Sequence, residues 1–322
     1  MSDQDYVLPI RSSSTDDDDE LTAYLSDLSA HINVIVVDAS PLPVFEARAR
    51  RWNMVTHVRP IPRFQFLNGK VNGVLSGVDH AGADKVIIAD EDVRYDADGL
   101  VAMAALLDRY DVVLPQNYFQ PAPWHARWDT ARSLLNRVAP SGDYPGTLGV
   151  RRSPWLVDDG YDGDVLFENL ELIRTVVAHG GTKHVARGLY VRRLPPSTAH
   201  FAGQRLRQAY DSQAQPLRLA AELAVLPLVV AGLRRRRLGG LTVLAATSMA
   251  VAECGRRRAG GVRRFPASAS LLTPMWLLER GMCSWLAIGT RIVRGGVRYS
   301  GGRISRAAHS TRQLRRQVAR RA

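Results

Sequence analysis

Short apolar runs and amphipathic stretches alternate along the first 115 residues of the chain. The apolar runs predict strands at Tyr6–Ile10, Val34–Val37, Val86–Ala89 and Asp111–Pro115. The stretches between them carry apolar residues at helical spacing and predict helices near residues 21–28, 44–52, 68–80 and 99–110. This β-α-β-α-β-α-β order is typical of an α/β fold in which helices flank a mostly parallel sheet.

The pattern weakens in the middle of the chain and then recovers. Residues 116–165 are rich in Trp, Pro, Gly and Arg, which predicts loops around one helix at Thr130–Val138. Helical spacing returns at Leu166–Ala178, and two further strands are predicted at Thr182–Val185 and Leu189–Arg193. The α/β part is therefore expected to continue to about residue 195.

Beyond residue 210 the chain becomes apolar. Two runs, Leu217–Leu233 and Leu238–Ala252, flank the arginine cluster Arg234–Arg237, and a third, interrupted run covers residues 267–292. The first two runs are shorter than the roughly 20 residues that a spanning helix needs. A spanning segment would also leave one arginine cluster on the far side of the membrane, against the positive-inside tendency. We therefore expect helices that lie in the membrane plane or re-enter it. Helices buried in a soluble bundle are the alternative.

Charge divides the chain at the same place. Residues 1–200 carry 20 basic and 27 acidic residues, whereas residues 201–322 carry 23 arginines and four acidic residues. These arginines alternate with apolar stretches and not with the aromatic residues that stack on bases, so they favour anionic membrane lipid as a partner and no nucleic acid. Two cysteines indicate no disulfide framework, and the acidic N-terminus predicts no secretory leader.

The triplet Asp90-Glu91-Asp92 directly follows the predicted strand Val86–Ala89. Open α/β sheets bind ligands at the carboxyl ends of their strands, and two carboxylates one residue apart can bind a hard divalent cation through oxygen. A further carboxylate, Asp38, also follows a predicted strand. The sequence therefore predicts a cation site at this edge of the sheet, with a solvated acidic loop as the alternative.

Several short motifs follow one another in the order of a known enzyme family. They are Val7-Leu8-Pro9, Val36-Val37-Asp38-Ala39-Ser40, Asn68-Gly69-Lys70-Val71-Asn72, Ala89-Asp90-Glu91-Asp92, Gly146-Thr147-Leu148-Gly149, Phe167-Glu168-Asn169 and Gln204-Arg205-Leu206-Arg207-Gln208. In these motifs the chain resembles the family 2 glycosyltransferases, which have a GT-A fold. The apolar C-terminal part makes it most similar to their membrane-associated, ceramide-glucosyltransferase-like branch. The resemblance covers about residues 5–210 and is looser beyond them.

The resemblance implies roles for the residues near the strand ends. Asp38 would bind the nucleotide, and Lys70 would lie near the diphosphate. Asp90 would face the ribose or the metal, and Asp92 would hold a divalent cation, Mn²⁺ or Mg²⁺. The implied donor is a nucleotide sugar, with a UDP-sugar expected. Without the resemblance, Asp38 is a turn residue and Lys70 a lysine on a helix surface.

The motif Gln204-x-x-Arg207 matches the family's Q-x-x-R-W signature, except that Gln208 replaces the tryptophan. The resemblance places Gln204 and Arg207 in the catalytic site, where the Arg207 guanidinium would donate hydrogen bonds to diphosphate oxygens. The missing tryptophan puts any stacking contribution at this position in doubt. An amphipathic helix without a catalytic role is the alternative.

On the acceptor side the chain departs from the family, which usually has Glu-Asp with the aspartate as general base. Here the pair is Glu168-Asn169, and an amide cannot abstract a proton. A hydroxyl acceptor would then need Glu168, Glu171 or Asp164 as its base. A lipid phosphate is already ionised at neutral pH and would need none.

The resemblance thus implies an inverting, metal-dependent glycosyltransferase of hexosyltransferase type. It would move a sugar from a nucleotide diphosphate to a membrane lipid or polyprenyl acceptor at the cytoplasmic face of the cell membrane. We expect a catalytic domain at residues 1–210, apolar membrane-associated helices at 211–293 and a basic tail at 294–322. A GT-A nucleotidyltransferase, and a non-enzymatic membrane or interaction protein on a decayed transferase fold, are the alternatives.

Overall fold

The computed structural model describes residues 3–16, 18–153, 156, 160–299 and 302–321, so parts of the predicted loop region 116–165 and of the tail 294–322 lie outside the described residues. The strands are β1 (Gln4–Ile10), β2 (Asn33–Asp38), β3 (Thr56–Val58), β4 (Lys85–Ala89), β5 (Val93–Arg94), β6 (Val112–Phe119), β7 (Thr147–Arg151), β8 (Lys183–Arg193), β9 (Val297–Tyr299) and β10 (Gly302–Ile304). The α-helices are α1 (Asp18–Ser29), α2 (Leu42–Ala49), α3 (Gly69–His80), α4 (Ala97–Leu107), α5 (Trp124–Val138), α6 (Glu168–Ala178), α7 (Thr198–Asp211), α8 (Pro216–Arg234), α9 (Leu238–Arg257), α10 (Ala267–Leu271), α11 (Thr273–Arg294) and α12 (Thr311–Arg321).

One sheet contains strands β1 to β8 in the order β3-β2-β1-β4-β7-β6-β8-β5. Strands β3, β2, β1 and β4 are parallel neighbours, whereas β7 runs antiparallel between β4 and β6. Strands β6 and β8 are again parallel, and the short β5 pairs antiparallel with the end of β8. The sheet is mostly parallel and flanked by helices, which confirms the predicted fold class.

Side chains along the strands alternate between two hydrophobic cores, one on each face of the sheet. In β1, Tyr6 and Leu8 belong to one core and Val7 to the other. Apolar side chains of α1 and α4 cover the first face, and those of α3 and α6 cover the second. Burial on both faces explains why these strands appear in the sequence as nearly continuous apolar runs.

Helix α3 packs very closely against β1. A Cβ atom at Gly77 would lie 2.2 Å from Cγ1 of Val7, so glycine is required for this approach. The side chain of Asn68 caps the helix by accepting a hydrogen bond from the backbone N–H of Lys70. Cap and packing together hold Lys70 at the carboxyl edge of the sheet.

The region predicted as loops around one helix is more ordered than expected. Helix α5 begins at Trp124 and not at Thr130, and β7 was not predicted at all. The apolar pattern of β7 is interrupted by Gly149, where a Cβ atom would lie 2.4 Å from Sδ of Met103. The strand therefore lacks the apolar pattern that would reveal it, because α4 occupies the space of the missing side chain.

The two strands predicted near residues 182–193 form the single strand β8. Its pairing with β6 changes register between Leu114 and Gln116, which lets the strand continue through residues 186–188 between the two predicted segments. The last residue of β8, Arg193, thereby reaches β5 and the end of β4.

Helices α8 and α9 are longer than the apolar runs that predict them. They contain 19 and 20 residues because each continues into arginines at its C-terminal end. The prediction that both runs fall short of spanning length is therefore wrong. By length and composition, two helices in the described residues, Pro216–Arg234 and Leu238–Arg263, could cross a membrane, the second counted with its 3₁₀ extension.

Among the described residues, the hairpin formed by α8 and α9 is attached to the α/β part at the end where α8 begins and α9 ends. At that end, Nε of Arg137 in α5 donates to the Gly255 carbonyl at 3.0 Å. Helix α11 packs along α8, where Nε1 of Trp285 donates to the Leu223 carbonyl at 3.0 Å. The opposite end, which we call the hairpin tip (residues 228–244), exposes large apolar side chains, including Leu228, Leu233, Leu238, Val243 and Leu244.

The described part of the tail folds back onto the α/β part. Strands β9 and β10 form an antiparallel pair, and the backbone of residues 306–307 accepts hydrogen bonds from the N–H groups of Leu166 and Phe167 at 3.0 and 2.8 Å. His309 binds the buried carboxylate of Glu171 through its backbone N–H and its ring Nδ1. The domain division at 1–210, 211–293 and 294–322 stays a prediction, and these contacts join its first and last parts.

Candidate active site

A cavity of about 470 Å³ opens at the carboxyl ends of β1 and β4. Its floor is formed where Pro9 and Ile10 end β1 and where Asp90 to Asp92 follow β4. The first turn of α3, the first turn of α6 and one face of α7 form its walls, and Tyr299 from the tail lies at its border. The topology therefore gathers six separate segments of the chain around one space, as strand-end sites do in α/β sheets.

The two outer carboxylates of the triplet lie in this cavity and are bound by cationic side chains. Nζ of Lys70 lies 2.5 Å from Oδ1 of Asp90. Nε of Arg193 donates to Oδ2 of Asp92 at 2.8 Å, and its Nη2 lies 3.4 Å from Oδ2 of Asp90. Gly146 permits this arrangement, because a Cβ atom there would lie 2.7 Å from Oδ2 of Asp90. The acidic triplet is thus a charged cluster in a cleft and not a solvated loop.

Lys70 connects this cluster with the opposite wall of the cavity. Its Nζ also donates to Oε1 of Glu168 at 2.8 Å. Burial alone would lower the pKa of Lys70, but Asp90 and Glu168 raise it well above its ordinary value. Burial would likewise lower the pKa of Arg193, which Asp92 and Asp90 raise. Both cations are therefore charged at any physiological pH.

The carboxylate of Asp92 fits a role in binding a metal ion. Its Oδ2 is bound by Arg193, but its Oδ1 is buried and has no hydrogen-bond partner among the described residues. A buried carboxylate oxygen without a partner costs free energy unless a ligand satisfies it. Oxygen donors from Asp90 and Asp92 are those that Mn²⁺ and Mg²⁺ prefer, and the two-carboxylate set leaves room for phosphate oxygens.

One face of α7 points into the cavity. Gln204, Arg207, Gln208 and Asp211 all line it, and their spacing of three, four and seven residues places them on one side of a helix. The guanidinium of Arg207 lies over the ring of Tyr299, with its carbon 4.7 Å from the ring centroid. Burial would lower the pKa of Arg207, and the nearby Glu168 and Tyr299 raise it.

Gln208, which stands at the tryptophan position of the Q-x-x-R-W signature, binds two arginines. Its Oε1 accepts hydrogen bonds from Arg205 at 2.8 Å and from Arg280 of α11 at 3.1 Å. The amide thereby ties α7 to α11. Gln204 lines the cavity with its amide nitrogen 3.2 Å from Nε2 of His200.

Asp38 is a predicted site residue that does not line the cavity. Its side chain is fully buried, and it binds Nη1 of Arg48 and Nε2 of His57, each at 3.2 Å, and the backbone N–H of Ser40 at 2.8 Å. Its neighbours in sequence, Val37 and Ala39, do line the cavity. Asp38 thus lies behind the wall and supports it.

The residues predicted for the acceptor side divide in the same way. Glu168 and Asn169 line the cavity, and the Asn169 amide donates to the Pro145 carbonyl at 3.0 Å. Glu171 is fully buried against His309 outside the cavity. Asp164 also lies outside, where its Oδ1 accepts from the Leu67 backbone at 2.9 Å.

Several residues of the cavity were not predicted as site residues, among them Arg193, Tyr299 and Asp211. Arg193 gave no local signal, because only the pairing of β5 with β8 brings it to the triplet. Tyr299 lies in the arginine-rich tail, and its hydroxyl reaches Oδ1 of Asn68 at 2.9 Å through the fold of that tail. Asp211 had a signal, since it lies seven residues after Gln204 on the same helix face.

No protein-family model matches the chain, and no curated protein matches it. Among solved structures, a mannosyltransferase from Pyrobaculum calidifontis, in complex with GDP-Man and Mn²⁺, is similar at a TM-score of 0.55 and 15% identity, covering 88% of this chain and 86% of that one. The chain has a GT-A type fold.

Further structures align over a smaller part of this GT-A type fold. Glucosyl-3-phosphoglycerate synthase from Mycobacterium tuberculosis aligns at a TM-score of 0.42 and 13% identity, over 64% of this chain and 77% of that one. Mannosyl-3-phosphoglycerate synthase from Rubrobacter xylanophilus aligns at 0.43 and 13%, over 63% and 70%.

Proposed function

We propose that this chain is a metal-dependent, inverting glycosyltransferase that takes its sugar from a nucleotide-diphosphate donor. The observation that carries this proposal is the single strand-end cavity in which Asp90 and Asp92 face three permanently charged cations, Lys70, Arg193 and Arg207. Two carboxylates that can share a metal, beside several fixed cations, suit a diphosphate, which needs positive charge on both sides.

The donor would lie along the β1, β4 and α3 side of this cavity. Asp92 and Asp90 would hold a divalent cation, and such an ion supplies electrostatic stabilisation to the charge that develops on the leaving diphosphate. Arg207 and Arg193 would bind diphosphate oxygens from the opposite side. Arg193, which pairs with Asp92 and Asp90 in this structure, would become available for this contact once a bound cation balances the charge of the two carboxylates.

The bound ligands of the structural neighbour support the donor class. The mannosyltransferase of the same fold was solved with GDP-Man and Mn²⁺. We propose uracil as the base of the donor nucleotide, because the sequence resemblance implies a UDP-sugar. Guanine is the alternative, because the neighbouring structure contains GDP-Man. Asp38 supports the nucleotide side of the cavity from behind, since Arg48 and His57 already bind its carboxylate.

The acceptor is proposed to be a membrane lipid or polyprenyl carrier, reached at the cytoplasmic face of the cell membrane. The hairpin tip exposes Leu233, Leu238 and Val243 around the four exposed arginines Arg234–Arg237. Apolar side chains beside guanidinium groups favour the boundary between lipid tails and anionic headgroups. Because the other end of the hairpin is fixed to α5, a tip inserted into the interface would hold the α/β part, and with it the cavity, at the membrane.

Binding of nucleoside diphosphates is the first test. Full-length protein in detergent is heated with UDP, GDP, UDP-glucose or GDP-mannose, each with Mn²⁺ or with EDTA. We expect a rise in melting temperature for at least one of them, and only with Mn²⁺. A protein that no member of this panel stabilises would contradict the proposed function.

A further inference from the structure

The acceptor side of the cavity lacks a free carboxylate at the position where related enzymes have one. Asn169 carries an amide whose N–H₂ group donates to the Pro145 carbonyl. The adjacent Glu168 has an oxygen in an ion pair with Lys70 at 2.8 Å. Glu168 therefore serves to hold Lys70, and an acceptor hydroxyl would need another group to take its proton.

Asp211 offers such a group on the opposite wall. It is the last residue of α7, and it lines the cavity on the same helix face as Gln204 and Arg207. Its Oδ1 is buried, and no described residue supplies it with a hydrogen bond. A carboxylate oxygen in this state is available to accept a hydrogen bond from a ligand in the cavity.

The charges around Asp211 come from four elements. Burial raises its pKa to about 7, and Glu168 of α6 acts in the same direction. Arg207 of α7, Arg280 of α11 and Arg132 of α5 act in the opposite direction. A base is most effective when its pKa lies near the working pH, because it is then both deprotonated and still basic.

We propose that Asp211 is the general base of the transfer and that the acceptor is therefore a hydroxyl compound and not a phosphate. This inference rests on the proposed function and names a catalytic residue and an acceptor class for the same cavity. In the transfer, the acceptor O–H gives its proton to the Asp211 carboxylate while its oxygen forms a bond to the anomeric carbon. The bond from that carbon to the diphosphate oxygen breaks, and its electron pair leaves with the nucleoside diphosphate.

The test uses donor hydrolysis, in which water takes the place of the acceptor. Four proteins are incubated with UDP-glucose or GDP-mannose and Mn²⁺ between pH 5.5 and 9. They are the wild type, Asp211→Asn, Asp211→Glu and a control, Asp27→Asn, which lies at an exposed position of α1. Release of the nucleoside diphosphate gives the rate, and thermal stabilisation by the donor gives binding.

For the wild type and Asp27→Asn we expect a rate that rises with pH and levels off above about 7. Asp211→Asn should bind the donor as before, hydrolyse it about 10²–10⁴-fold more slowly, and lose this pH dependence. Asp211→Glu, which keeps a carboxylate, should recover part of the rate.

Folding of the variants is followed separately. Since burial raises the folded-state pKa of Asp211 above its unfolded value, the contribution of Asp211 to stability falls as the pH rises from 3.8 to about 7 and then levels off. Asp211→Asn should therefore melt at a higher temperature than the wild type at pH 8.5, with a smaller difference at pH 5.5. An Asp211→Asn variant that hydrolyses the donor at the wild-type rate with the wild-type pH profile would overturn this inference alone. Wild-type protein that neither binds nor hydrolyses any donor would overturn the proposed function and this inference with it.

Discussion

Arg48 joins two buried carboxylates behind the cavity wall at the end of β2, and its removal should destabilise the protein strongly. Its Nε and Nη2 donate to Asp18 at 2.8 and 2.7 Å, and its Nη1 donates to Asp38 at 3.2 Å. The side chains of Arg48, Asp18 and Asp38 are 4%, 6% and 0% exposed. An Arg48→Met substitution would keep the volume of the side chain but leave two carboxylates buried without their cation.

The expected magnitude follows from this burial. Removal of one partner from a buried ion pair costs about 3–5 kcal/mol. Burial alone would raise the pKa of Asp38, but hydrogen bonds from His57 and Ser40 and the charge of Arg48 lower it from 3.8 to about 2. That difference corresponds to roughly 2–3 kcal/mol of stability at neutral pH, of which Arg48 supplies a part.

Thermal unfolding followed by circular dichroism measures the effect. At pH 7 we expect Arg48→Met to melt about 6–20 °C below the wild type, at ~2–4 °C per kcal/mol. Arg51→Met is the matched control, because Arg51 pairs with Asp19, whose side chain is 91% exposed, and an exposed pair contributes only about 0–1 kcal/mol.

The pH dependence provides a second check on the same variant. The folded-state pKa of Asp38 lies below its unfolded value, so its contribution is present above about pH 5 and is lost as the pH falls towards 2. The difference between wild type and Arg48→Met should therefore shrink over this range. Equal losses for Arg48→Met and Arg51→Met at pH 7 would refute the reasoning.

Two further predictions concern the attachment and the use of the hairpin. Gly255→Leu should weaken the packing of α9 on α5, since a Cβ atom at Gly255 would lie 2.0 Å from the Leu134 carbonyl oxygen. In limited proteolysis, the hairpin of this variant should then be cut faster than that of the wild type. Replacement of the exposed Leu228, Leu233 and Leu238 by serine should reduce flotation with phosphatidylglycerol vesicles while donor-induced thermal stabilisation is unchanged. Undiminished flotation would show that the tip does not bind the membrane.

The fold could be predicted from the sequence where burial is uniform. Strands β1, β2 and β4 are buried on both faces, so their apolar runs identify them directly. Strand β7 escaped prediction because Gly149 replaces a large residue where Met103 fills the space. The apolar runs of α8 and α9 were recognised, but their lengths were underestimated because helices continue into arginines that no hydropathy pattern includes.

Residues of the candidate site could be predicted only where a polar side chain directly follows a predicted strand or lies at helical spacing from another site residue. Asp90 and Asp92 come directly after β4, and they do line the cavity. The position of Arg193 depends on which strand pairs with β5, and this is a tertiary choice that one sequence does not reveal. Glu171 looked equivalent to Glu168 by spacing, but the tail residue His309 takes its carboxylate away from the cavity.

The central claim is that a nucleoside diphosphate binds to a metal ion held by the Asp92 carboxylate. Its most direct test is whether binding requires both Mn²⁺ and Asp92. Isothermal titration calorimetry with UDP and with GDP would compare wild-type protein with Asp92→Ala, each with Mn²⁺ and with EDTA. The control would be Asp98→Ala, which lies at an exposed position of α4. We expect binding by the wild type and by Asp98→Ala that requires Mn²⁺, and its loss in Asp92→Ala, because the diphosphate charge then lacks its counter-ion. Binding by Asp92→Ala with unchanged affinity and unchanged Mn²⁺ dependence would contradict the proposed site.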